Sequence, residues 1–148
     1  MKGILKMKKQ VTSAIYTVLS LVLILCLVSC GAAKPADELW KDAIYTSDTE
    51  MGEGDTSFPV EISVGEHKIT ITVHTDETTV GAALQKLGII DGEEGQFGLY
   101  IKKVNGITAD YDIDQSYWAF YKNGELSMSG ADLTDIEDGV TYRFEHTK

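Results

Sequence analysis

The chain has 148 residues, 43% of them hydrophobic and 24% charged, which gives room for one ordinary domain and an additional segment. Its net charge is −10, and residues 30–148 hold all 23 acidic residues against nine basic ones, a formal charge of −14 that repels phosphate backbones and argues against nucleic-acid binding. Its two cysteines are Cys26 and Cys30, so the residues beyond them offer no disulfide, thiol nucleophile or zinc-thiolate site.

Met1 to Ser29 carries Lys2, Lys6, Lys8 and Lys9 ahead of an uncharged, Leu/Val/Ile-rich run from Val11 to Ser29. A basic start, an apolar middle and small residues at the end are the marks of a secretory signal. The run is also close to the ~20 residues of a membrane span, and an uncleaved anchor is the alternative. Leu27-Val28-Ser29-Cys30 resembles the bacterial lipobox. There the cysteine thiol accepts a diacylglycerol and becomes the first residue of the mature chain. The expectation is therefore signal peptide 1–29, lipidation at Cys30, and attachment to the outer face of the cytoplasmic membrane.

Residues 30–57 are acidic and rich in small residues, with Pro35 at one end and Met51-Gly52-Glu53-Gly54-Asp55 at the other. They read as a flexible tether. Within it, Asp37 to Ile44 allows a turn or two of helix with Leu39, Trp40 and Ile44 on one side, either an inert stretch of spacer or a docking helix.

The folded domain is expected at residues 58–148. Val60, Ile62 and Val64 alternate with polar residues, Gly65-Glu66 turns the chain, and Ile69, Ile71 and Val73 alternate again, a first hairpin. Val80, Ala83, Leu84 and Leu87 then recur at spacings of three and four, giving one short helix from about Thr79 to Leu87, closed by Gly88. Gly92 to Gln96 reads as an acidic loop, Leu99 to Val104 as an irregular strand ending at Asn105-Gly106, and Asp110 to Ser116 as a connector. Within Tyr117 to Gly130, four aromatics in five residues, then Asn123-Gly124, then a second short apolar run, carry the signature of two strands joined by a type I′ turn. Asp132 to Gly139 forms a loop, and Tyr142 to Glu145 alternates as a last strand. A hairpin, one helix laid across a mixed sheet and four further strands make an α+β fold of β-grasp-like plan.

No set of catalytic residues stands out. His67, His74 and His146 all read as solvated residues at strand edges or ends. Asp110, Asp112 and Asp114 have the spacing of a calcium loop, but Gln115 and Tyr121 stand where that loop needs Gly and Glu. Asp132, Asp135 and Asp138 read as turn and capping residues. The most informative stretch is the aromatic hairpin. Trp118 and Phe120 share one strand face, and Tyr117, Ala119 and Tyr121 the other. One face can fill a core while the other, beside Ser127-Met128-Ser129-Gly130, makes an apolar rim for a bulky planar ligand.

At Thr79–Leu87, Val104-Asn105-Gly106, Tyr117-Trp118-Ala119-Phe120-Tyr121, Asn123-Gly124, Ser129-Gly130-Ala131-Asp132 and Asp138-Gly139, the chain resembles the transcobalamin-like C-terminal domain family. The resemblance spans about Val60 to Phe144 and implies a β-grasp-like fold. It also implies a ligand-binding role for Leu126, Ser127, Met128, Ser129 and Gly130, with Trp118 and Tyr121 in support. In two-domain members of the family this domain closes over cobalamin held against a helical domain, which is absent from this sequence. The expected function is thus non-enzymatic capture of cobalamin or another corrinoid as cargo, with no intrinsic cofactor or metal. The expected partners are the membrane, through the lipid anchor, and a corrinoid importer or another surface protein. The alternative is a cell-surface protein–protein interaction or adhesion module.

Overall fold

The structure is a computed structural model that describes residues 34–148. The expected signal peptide and Cys30 lie outside the described residues. Among the described residues no helix is long and apolar enough to cross a membrane.

The fold is mixed α+β, mostly sheet with a few short helices. Helix α1 (Ala36–Leu39) and a 3-10 turn (Trp40–Asp42) lead into β1 (Thr49–Gly52), β2 (Thr56–Val64) and β3 (His67–Thr75). Helix α2 (Val80–Lys86) follows, then β4 (Ile90–Gly95), β5 (Gly98–Val104), β6 (Ile107–Thr108), α3 (Tyr111–Asp114), β7 (Tyr117–Lys122), β8 (Glu125–Leu126) and β9 (Tyr142–Thr147). One sheet has the order β1-β3-β2-β9-β7-β8 and a second has β4-β5-β6. The last strand, β9, runs parallel to β2 and antiparallel to β7, so the chain from β3 to β8 is the long connection that parallel pairing requires.

The alternation in β2 and β3 puts Val60, Ile62, Val64, Ile69, Ile71 and Val73 on one face, all buried. Each contributes about 1.5–3 kcal/mol by leaving water. Thr79 caps α2 by accepting the Ala82 N–H at 3.3 Å, and Val80, Ala83 and Leu84 face the same core. From the other half of the sheet come Phe120, Tyr142 and Phe144, with Phe120 stacked on Tyr142 at 6.1 Å and on Phe144 at 5.0 Å. Tyr142 is fully buried, and its hydroxyl donates to the Asp135 carbonyl and accepts the Glu137 N–H, each at 3.0 Å. A phenol carried into a core needs such partners.

The structure corrects the expected tether at 30–57. From Ala36 onward that segment is part of the fold, because its apolar and hydrogen-bonding groups find partners far along the chain. Leu39 is buried, Trp40 stacks on the His67 ring at 5.1 Å, and β1 extends the sheet parallel to β3. The Asp48 carboxylate accepts the Thr70 N–H at 2.8 Å. Asn105, at φ 52° in its turn, gives both ends of its buried amide to Tyr45, accepting its N–H at 2.9 Å and donating to its carbonyl at 2.8 Å. Periodicity was uninformative because these contacts involve single residues rather than a face.

Three further differences are local. Gly92 to Gln96 is not a loop up to Gly95 but strand β4, paired with β5 through a bulge at Asp91/Gly92. Its carboxylates point to solvent from an edge strand, so no apolar alternation marks it. Asp110 to Ser116 contains α3, with Asp110 capping it at the Asp112 N–H. Six strands, not four, follow α2.

Candidate functional site

The two arms of the aromatic hairpin meet at Asn123-Gly124, where both residues have positive φ (51° and 82°), as a type I′ turn requires. Tyr121 lies opposite Leu126 across the hairpin. Trp118 is on the core face of β7, only 7% exposed, and its ring meets His146 edge-on at 5.3 Å. Tyr121 is on the other face, with the Arg143 guanidinium 4.2 Å above its ring. Trp118 therefore does not join the remaining expected ligand residues. It is a core residue behind them.

Beyond β8 the chain turns along the edge of β7, tied by the Ser127 N–H to the Phe120 carbonyl at 2.9 Å. The Ser127 hydroxyl donates to the Ser129 carbonyl at 2.8 Å, which fixes Met128 at the apex. Met128 is 98% exposed and Leu126 59%. The Gly130 carbonyl accepts the Leu133 N–H at 3.2 Å and the Thr134 hydroxyl at 2.8 Å, anchoring the far end in a 3-10 turn (Ala131–Leu133). That turn abuts α2 so closely that a Cβ at Gly81 would sit 2.5 Å from the Asp132 backbone. The segment from Leu126 to Gly130 is thus an exposed loop on fixed supports, with an unbranched apolar side chain at its crest.

The loop's neighbour is the tip of the β4–β5 hairpin. Gly95 pairs with Gly98, leaving Gln96-Phe97 as the turn, with Phe97 88% exposed. The Asp132 carboxylate links the two loops by accepting the Leu99 N–H at 3.1 Å. Phe97 was not singled out in the sequence. An aromatic beside an acidic, glycine-rich turn is the signal that was there to find.

The remaining polar candidates serve the fold. Asp114 accepts both the N–H and the hydroxyl of Ser116, bonds that hold its carboxyl below the usual carboxylate range. Asp110 lies 3.5 Å from Lys102. Among the described residues no three His, Cys, Asp or Glu side chains are grouped as a metal site. A shallow open concavity of about 250 Å³ lies on the small sheet, lined by Asp91, Glu93, Lys102 and Lys103 and by no residue of the aromatic hairpin.

His67 and His74 lie near the ends of β3 and stay about a third exposed, but each has a carboxylate partner. His67 contacts Asp37 at 2.7 Å, and His74 contacts Glu50, so both bind the N-terminal segment to β3. His146 is half-buried against Trp118, and that burial pushes its imidazole below 6.5, opposed in part by Asp114. The unfolded chain therefore binds a proton that the native state resists, so stability is full above 6.5 and falls as the pH drops from 6.5 to the depressed value. Urea melts at pH ~8 and ~5 are expected to show this loss, and His146→Gln to reduce it without a comparable change at the higher pH. An unchanged acid loss in His146→Gln would place its origin elsewhere.

Comparison with known proteins adds three findings. The family described as a domain of unknown function (DUF4430) matches residues 77–148, just under half of the chain. None of the curated proteins matches in sequence. Among solved structures, the chain is similar to a protein of Ruminococcus gnavus ATCC 29149 to which metal binding is ascribed, with 29% identity and a TM-score of 0.59 over 64% of this chain and 98% of that one. It also shares its fold with haptocorrin in complex with Cbi, at 20% identity and a TM-score of 0.51 over 66% of this chain and 26% of that one.

Proposed function

We propose that this protein is an exported, lipid-anchored, non-enzymatic module that binds a small ligand at its aromatic hairpin, with cobalamin or another corrinoid as the cargo. The observation that carries this is the Leu126–Gly130 loop, where Met128 stands almost wholly in water on a segment braced at both ends. An apolar side chain held there contributes nothing to the core. On binding it would bury its surface against a ligand without the entropy cost of ordering a loop. The transcobalamin-like resemblance supports a β-grasp reading of the mixed sheet, and the fold shared with haptocorrin is consistent with it. The metal ascribed to the Ruminococcus protein is not part of this proposal, since no donor cluster is found among the described residues.

A corrinoid needs apolar contact and a few backbone hydrogen bonds rather than acid–base groups. Lipidation at Cys30 would place the domain at the outer face of the cytoplasmic membrane, where it would pass its cargo to an importer. Since helix α1 already begins at Ala36, few residues would separate the anchor from the described fold. Titration of the full chain in detergent with cyanocobalamin and cobinamide, followed by Trp fluorescence and calorimetry, tests this. Saturable binding at about micromolar Kd or tighter, a free energy of roughly −8 kcal/mol, is expected. No saturation at high micromolar ligand would replace it with the surface-interaction module.

A further inference from the structure

We propose that the ligand site has a second lip, the tip of the β4–β5 hairpin, with Phe97 as its contact residue and Asp132 as the positioning residue that holds the two lips together. This rests on the ligand-binding function proposed above and extends it to residues outside the aromatic hairpin.

The geometry begins with two glycines. A Cβ at Gly98, which has φ +107°, would lie 2.5 Å from Asp132 Oδ2, and one at Gly130 would lie nearer still to Oδ1. The carboxylate thus occupies the space that a Cβ at either glycine would take. Oδ2 accepts the Leu99 N–H, while Oδ1 is buried without a hydrogen-bond partner. The Leu99 N–H and the close fit against the two glycines are what hold the carboxylate in place. What it fixes is the approach of the two loops. Phe97 immediately precedes Gly98 and Met128 stands two residues before Gly130, and both side chains are left in water.

Charge defines what these lips would hold. Neither Gly92–Tyr100 nor Gly124–Asp138 contains a Lys or Arg. Glu93 is drawn to Lys102 and Glu137 to Lys122, whereas Glu94 and Glu125 have no cation within pairing distance among the described residues. Two apolar contacts set among carboxylates suit a ligand with an apolar ring face and a rim of N–H donors or a positive charge. A corrinoid has both, in its macrocycle, its peripheral amides and its cationic cobalt centre.

The test is titration of the full chain in detergent with aquacyanocobinamide, which carries a positive charge, and dicyanocobinamide, which carries none. Phe97→Ala is expected to weaken binding about tenfold with an unchanged melting midpoint. Asp132→Ala should weaken it similarly. Asp132→Asn, which keeps an acceptor for the Leu99 N–H, should restore it to within about threefold of the parent chain. The charged probe should bind more tightly than the neutral one, and a Glu94→Gln/Glu125→Gln variant should narrow that preference. If Phe97→Ala binds like the parent while Met128→Ala does not, the second lip is overturned and the proposed function stands. If Asp132→Asn is as weak as Asp132→Ala, the positioning role is overturned. No binding by the parent chain overturns both the lip and the function it rests on.

Discussion

A chain shortened to begin at Phe58 is expected to lose its cooperative unfolding transition, whereas one beginning at Gly31 is expected to keep it. The shortened chain lacks β1, which pairs with β3 from Thr49 to Gly52, and the buried Leu39. It also strips the partners from Asn105, a fully buried residue whose amide is satisfied only by the Tyr45 backbone. Its own carbonyl accepts the Ile44 N–H at 3.0 Å, and its N–H donates to the Ile89 carbonyl at 2.7 Å. All four polar groups of Asn105 are therefore engaged, two of them wholly and one further by the N-terminal segment. Orphaning a buried amide costs about 1–3 kcal/mol for each group left unpaired. A single substitution isolates this contact. Asn105→Ala leaves the Tyr45 N–H and carbonyl without partners and places Ala at a φ of 52°, so a loss of about 3 kcal/mol is expected. For a domain of this size that corresponds to a fall of roughly 10–15 °C in Tm, measured by calorimetry. A chain from Phe58 that melts like the longer one would return residues 36–57 to the role of a tether.

The contrast between what could and could not be read from the sequence has one physical source. Elements with a repeating face were legible. The alternation of Val60 to Val64 and Ile69 to Val73 marks strands, the spacing of Val80 to Leu87 marks α2, and Asn123-Gly124 marks a turn that demands positive φ. Elements held by single long-range contacts were not. Nothing local in Tyr45 announces a bond to Asn105, sixty residues on. Nor does the acidic run of β4 show that its backbone pairs with β5 while its side chains stay in water. The candidate site divides in the same way. The exposed loop after Leu126 could be placed from its small residues and turn chemistry, but Phe97 joins it only through Asp132, whose partner is thirty-three residues away.

Trp118 and Met128 separate core from rim, and their substitutions are expected to have opposite consequences. Trp118 packs on the core face of β7, against His146 on the neighbouring strand, and almost all of its surface is buried. Trp118→Ala removes that volume from a site walled by two strands and leaves a cavity, a loss of about 3–5 kcal/mol and roughly 15 °C or more in Tm. It should also open His146 to water and so relieve the burial that depresses its imidazole, and the acid loss of stability should shrink with it. Trp118→Phe should recover most of the stability, because the indole Nε1 is buried with no partner and only ring volume is forfeited. Met128, by contrast, touches little of its own protein. Met128→Ala should leave the stability within about 0.5 kcal/mol of the parent's. In titration with cobinamide it should weaken binding about tenfold, since the side chain's burial would occur only against ligand. Thermal melts and titrations on the same two proteins decide between these assignments. A Met128→Ala variant that melts as early as Trp118→Ala would make the loop part of the core, and a Met128→Ala variant that binds cobinamide like the parent would remove its crest from the site.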